Sequence, residues 1–365
     1  MDDGAAGDDA VGREAMDAEQ RAAEAAVRYA VRLMSRVLGS FTGFVVGEGW
    51  GSQWRDGEWH PGVRSQLLAY TTTGLITFGW QRDHGLPSSP ADTVRQALER
   101  WGSDRGDLAE RQIPGWLHEE AVIHGRTPVP VETIEALRSG LPSSEDSTLA
   151  VLRAIPVGVL GAAGFPFVRE MAMAVAALTH TGPRTLATAA LAAQLYGAAL
   201  EASARDDGVG LVEVLTDVLD SRPLGDPLRW RLEHLLRQDP RSLRFAAQRP
   251  APEGPDDVLF AALTALLAFP GGGQDSWLGA IRSVVECREP VGVRCLVGAL
   301  HGALHCPGYT PDLEPGVPED VRLWEEAFVV FGDLASDLVH SILATPGGHS
   351  EDDERADEWC RRYPA

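Results

Sequence analysis

Gly39-Ser40-Phe41-Thr42-Gly43-Phe44-Val45-Val46-Gly47-Glu48-Gly49-Trp50-Gly51 is the stretch on which the fold turns. Small residues at 39, 43 and 47 recur every fourth position, so they line one face of a helix and let a second helix approach closely. Glu48 falls on the turn after them, where a carboxylate would face whatever the helix end approaches. Taken alone, the stretch also reads as a close-packed helix with a glycine-rich C-terminal cap and no functional acid.

Upstream, apolar positions recur at helical spacing between Glu14 and Leu38 (Ala23, Val27, Tyr29, Ala30, Leu33, Val37). Residues 1–20 hold seven acids against one base and read as an acidic, solvated tail. Downstream, the spacing predicts helices near Thr93–Trp101, Val131–Arg138, Val168–Thr179, Thr185–Arg205, Val209–Leu219, Asp257–Ala268, Ser276–Cys287, Val293–Cys306 and Glu319–Leu343. Asp92, Pro183 with Thr185, and Asp275 or Ser276 are the expected start signals. Ala-rich and Leu-rich faces, with almost no alternating Val/Ile/Thr runs, make the fold class all-α. The expectation is a single compact multi-helix domain over 21–345, with acidic segments at 1–20 and 346–365.

Of the 365 residues, 44% are hydrophobic, enough for a large core. The 32 basic and 53 acidic residues give a formal charge of −21, which repels phosphate backbones and anionic membrane surfaces, so no nucleic-acid or membrane partner is expected. All the basic residues are arginines. The absence of lysine excludes Schiff-base chemistry and a P-loop lysine, and it fits a G+C-rich, bacterial-type coding sequence. Cys287, Cys295, Cys306 and Cys360 are too sparse for a disulfide framework, which suits free thiols in the cytoplasm. No secretory signal opens the chain. Its most apolar windows, Leu149–Phe167 and Val258–Phe269, are interrupted or too short to span a membrane.

Four segments in order resemble the ADP-ribosylglycohydrolase family, of the dinitrogenase-reductase-activating type, over about Val37 to Leu343. Gly39–Gly51 is similar to its first-helix pattern G-S-hydrophobic-x-G-hydrophobic-x-x-G-D-A-x-G. Ser147-Thr148-Leu149-Ala150-Val151-Leu152-Arg153-Ala154-Ile155-Pro156-Val157-Gly158 resembles its G-N-G-A-x-M-R-x-x-P-hydrophobic-G segment, and Leu178-Thr179-His180 its L-T-H element. Val297-Gly298-Ala299-Leu300-His301-Gly302-Ala303-Leu304 is similar to the helix after its last metal motif.

The resemblance implies chemistry resting on two magnesium ions, held by a T-D-D-T motif, a G-G-D-x-D-T motif and a glutamate after the first glycine motif. Hard dications need oxygen ligands, chiefly carboxylates. Here the first motif aligns with Tyr70-Thr71-Thr72-Thr73-Gly74, the second with Cys287-Arg288-Glu289-Pro290-Val291-Gly292, and the glutamate with Arg55. Only Glu289 and Glu48 keep a carboxylate. The expectation is therefore no metal and no other cofactor. Arg55, Arg288 or Arg294 would lie where cations sat, free to pair with a diphosphate, or would be solvated surface residues or paired with a neighbouring acid. Ser147, Thr148 and His180 match family positions near bound ADP-ribose, and Thr71, Thr72 and Thr73 complete the expected ligand-binding set.

Two further clusters stand apart. His301 and His305, four apart with Cys306 following, have zinc-ligand spacing but also suit a buried helix with satisfied histidines. Trp50, Trp54, Trp59 and Trp80, with Asp56, Glu58, His60, Asp83 and His84, form either an aromatic binding wall or core packing. The functional expectation is a family-like protein acting by binding an ADP-ribose-like small molecule, a related nucleotide or a protein partner, the last including an immunity or regulatory role. The alternative is a metal-independent hydrolase or lyase on a glycosidic substrate, with Glu48 or Glu289 as general base and His60 or His180 as acid.

Overall fold

The computed structural model describes residues 5–50, 61–109, 115–124, 127–206, 208–247, 254–284, 289–306, 322–343, 359 and 361–363. In chain order its helices are α1 (Ala5–Gly49), α2 (Val63–Asp83), α3 (Pro90–Asp104), α4 (Val131–Ser139), α5 (Thr148–Arg153), α6 (Val157–Ala162), α7 (Val168–Ala177), α8 (Pro183–Arg205), α9 (Leu211–Ser221), α10 (Asp226–Leu236), α11 (Pro240–Ala247), α12 (Pro255–Ala268), α13 (Gln274–Ser283), α14 (Pro290–His305) and α15 (Arg322–Leu343). No strand occurs among the described residues. One isolated parallel bridge joins Ser143 to His180. The all-α expectation holds, and no helix among the described residues is long and apolar enough to cross a membrane.

The opening stretch does what its spacing suggests. α1 runs antiparallel to α14, and glycines on both helices bring the backbones into contact. A Cβ at Gly298 would overlap the Gly43 carbonyl, one at Gly302 the Gly39 carbonyl, and one at Gly47 the Arg294 carbonyl. This seam leaves no space for side chains, so the residues flanking it, Phe41, Phe44, Val45, Leu296, Val297 and Leu300, bury against the neighbouring helices. α8, rich in alanine for the same reason, closes the other side, and α15 packs across α1 and α2.

Three local readings need correction. The acidic stretch 1–20 is not all tail, because α1 begins at Ala5, and its alanine-rich sequence explains the extra turns. Met16 and Ala18–Ala23, within this extension, are exposed. Asp92 lies in the first turn of α3 and not before it: Ser89 is the N-cap and its Oγ accepts from the Asp92 N–H at 3.2 Å. α2 has no counterpart among the helices expected from periodicity, because it is buried nearly all round from Val63 to Gly79 and so lacks a polar face.

Candidate functional site

The seam delivers Glu48, at the C-terminal end of α1, to the first turns of α2 and α14. Glu48 is buried, 7% exposed. One carboxylate oxygen accepts the Arg64 backbone N–H at 3.0 Å. The other accepts the Ser65 N–H at 2.8 Å and the Ser65 hydroxyl at 2.5 Å. Gly62, the N-cap of α2, cradles this carboxylate, since a Cβ there would overlap it. An acid at a helix N-terminus satisfies orphan N–H groups and offsets the positive end of the helix dipole. Glu48 therefore pins α2 to α1.

The Arg64 side chain turns back over this anchor. Its guanidinium lies 3.8 Å from Glu48 and donates a short hydrogen bond to Glu289, just before α14. Burial works against its charge, and Cys295, Glu48 and Glu289 around it more than offset this, raising its pKa. Arg294, one turn into α14, is buried close by. Cys295 beside it is fully buried, and its thiol is pushed well up by burial and by Glu48, so it stays protonated.

α5 reaches the same junction through Thr148, whose methyl abuts Gly292 in the first turn of α14. Ser147 is the N-cap of α5: its Oγ accepts from Ala150 N–H at 3.3 Å, and its own N–H donates to Thr185 at 2.7 Å. His180 lies behind this turn, with Nδ1 2.9 Å from the Thr179 hydroxyl. Burial, aided by Arg153, pushes His180 down to about 4, so it is neutral at pH 7. Arg153 is itself fully buried and donates to the Val175 and Ala176 carbonyls and the Thr179 hydroxyl at 3.1, 3.0 and 2.8 Å. It thus caps the C-terminal end of α7, which accounts for the arginine in the segment from Ser147 to Gly158.

The threonine run lies elsewhere. Thr71, Thr72 and Thr73 are buried in the middle of α2, seven to nine residues beyond Arg64 and so about 10 to 13 Å along the axis. Thr72 and Thr73 donate to the Leu68 and Ala69 carbonyls of their own helix, at 2.8 and 3.1 Å. Gly74, next in line, admits the α3 backbone at Val94. The carboxylate junction forms instead at the start of α2, on Arg64 and Ser65. Arg64-Ser65, one residue after Pro61-Gly62, is the polar helix start that could have signalled it. Arg55, Arg288, Trp54, Trp59, Asp56, Glu58 and His60 lie outside the described residues. The remaining tryptophans separate, Trp50 packing edge-on to Trp277 at 5.6 Å and Trp80 stacking on His84 at 4.2 Å.

With this geometry in view, the sequence matches the model of the ADP-ribosylglycohydrolase family over residues 29–341. The chain belongs to the ADP-ribosylglycohydrolase family. No curated protein matches it. The family match begins at Tyr29, so the N-terminal part of α1 lies ahead of the shared domain, and it ends inside α15.

Proposed function

We propose that this member of the ADP-ribosylglycohydrolase family acts by binding, without the two magnesium ions that the motif resemblance implies. Arg64, bridging Glu48 and Glu289 where α1, α2 and α14 meet, carries this reading. A dication about 4 Å from that guanidinium would meet a repulsion of roughly 8 kcal/mol at an effective dielectric constant near 20. The donors present do not suit such an ion either. Both Glu48 oxygens already accept hydrogen bonds from the start of α2, and Glu289 is paired with Arg64.

The same arrangement disfavours a rebuilt hydrolase. Glu48 is committed to the start of α2 through three hydrogen bonds, Glu289 is held by Arg64, and a His180 that is neutral at pH 7 is a poor general acid. The proposed ligand is ADP-ribose or a related nucleotide, with Thr148 and Glu289 on the rim of the junction and Ser147 and His180 holding the α5 turn behind it. Titration calorimetry of ADP-ribose into the full chain, with excess magnesium and again with chelator, tests the reading. Equal affinity in both supports it. Binding that needs magnesium overturns it, and no binding in either removes the nucleotide and leaves a protein partner.

A further inference from the structure

Arg294 is 6% exposed, yet among the described residues no carboxylate pairs with it and its Nε meets no acceptor. Every other charged group at the junction is engaged, Glu48 with the α2 backbone and Glu289 with Arg64. Helical side chains lean toward the N-terminus of their own helix, so Arg294 extends over the first turn of α14, where Arg64 already lies. The two guanidinia are close enough to feel one another. Burial pushes Arg294 below the ordinary arginine range, Cys295 acts against this, and the like charge of Arg64 adds to it.

The first turn of α14 increases the imbalance. Pro290 occupies its first position, and Glu289, the N-cap, makes no capping hydrogen bond. Among the described residues, two guanidinia and the positive ends of α2 and α14 thus face two carboxylates and the negative end of α1, each helix end being worth about half a charge, which leaves an excess of about half a positive charge. That excess persists in a chain of formal charge −21. A buried guanidinium without a counter-ion is strongly destabilising, and an anion from outside would supply the charge that no carboxylate among the described residues gives Arg294. Arg64, Glu289, Pro290 and Val291 are only partly buried, which leaves the place reachable.

We propose that Arg294 and Arg64 together bind a phosphoryl oxyanion at the first turn of α14. The inference rests on the metal-free reading above and names the group that reading has to recognise. A phosphoryl group offers more oxygens than a carboxylate to two forked donors and a helix N-terminus at once. The anion occupies a junction where the motif resemblance implies cations.

The test is a titration of the full chain with inorganic phosphate, then pyrophosphate, followed by 31P line broadening in 150 mM sodium chloride. Wild type is expected to bind saturably, pyrophosphate displacing phosphate. Arg294→Gln should weaken binding at least tenfold and Arg294→Lys less, because lysine keeps the charge and loses the fork. The exposed Arg237→Gln should bind like wild type. Circular dichroism shows whether each variant is folded. Should Arg294→Gln fail to fold, Arg294→Lys decides: weakening of threefold or more supports the proposal, and wild-type affinity overturns it. Absence of phosphate binding by wild type, or unchanged binding by folded Arg294→Gln, also overturns it. If ADP-ribose still binds without magnesium in that case, the binding reading stands and only the anion assignment falls. If ADP-ribose binding needs magnesium, the metal-free reading itself has failed.

Discussion

The α1–α14 seam has two ends built by the same packing rule and closed in opposite ways. At the Gly39 end the thiol and the imidazoles are neutral and have partners within the chain, beside the buried Arg36, whose charge adds to burial in lowering His305 and acts against burial to lower Cys306. The Cys306 thiol donates to the Ser35 carbonyl at 2.9 Å, the His301 Nε2–H faces the Gly271 carbonyl at 3.2 Å, and the His305 ring lies 5.0 Å from the His301 ring. Burial, with His305 adding to it, pushes His301 down to about 4. The zinc-like spacing of His301, His305 and Cys306 therefore coincides with hydrogen bonds that suit a structural end. At the Gly47 end the groups are charged, the Arg294 Nε meets no acceptor, and among the described residues no carboxylate pairs with Arg294. An end whose polar groups find partners inside the chain needs nothing further, whereas an end with an uncompensated guanidinium is where a ligand has something to supply.

Substitutions can break the comparison, and the largest effect belongs to the seam itself. Gly298→Val places a side chain into the Gly43 carbonyl, and we expect no folded protein, a loss above about 5 kcal/mol, read by circular dichroism and denaturant unfolding. At the charged end, Glu48→Ala leaves the α2 N–H groups and part of the Arg64 charge unmet and should cost about 3 to 5 kcal/mol in urea unfolding, against about 1 kcal/mol for the more exposed Glu289→Ala. Equal costs would show that Glu48 is not the anchor.

The buried imidazoles sharpen the contrast through pH. His180 and His301 are lowered to about 4 in the folded chain, from 6.5 when unfolded. Below pH 6.5 the unfolded state takes up protons that the folded state refuses, so stability is full above this pH and falls toward pH 4, by on the order of 3 kcal/mol per histidine. His301→Gln, which keeps a donor for Gly271, should flatten part of that fall in urea midpoints measured between pH 7 and 4.5. Ser65→Ala removes one hydrogen bond to the Glu48 carboxylate and should cost about 2 kcal/mol, less than Glu48→Ala because the carboxylate and its two backbone partners stay.

The glycine register at 39, 43, 47, 298 and 302 made the central helix pair legible in the sequence, because backbone contact demands small residues at fixed spacing. Glu48 and Glu289 were legible as the carboxylates kept in the motif segments, and both lie against Arg64. Arg64 was not, because a motif-based alignment fixes on residue types, and the threonines at 71–73 resemble a ligand run more than an Arg-Ser pair does. Their burial within α2 follows from the helix having no polar face, which periodicity could not reveal. The missing counter-charge of Arg294 is a property of three helices meeting and has no local sequence signal.

The most direct test of the claim that Arg64 holds the place of a metal is Mn2+ electron paramagnetic resonance on the full chain with one to two equivalents of ion. The account predicts the full six-line signal of free Mn2+, unchanged by the protein. Loss of that signal with saturation at a defined stoichiometry, abolished by Glu48→Gln or Glu289→Gln, would contradict it.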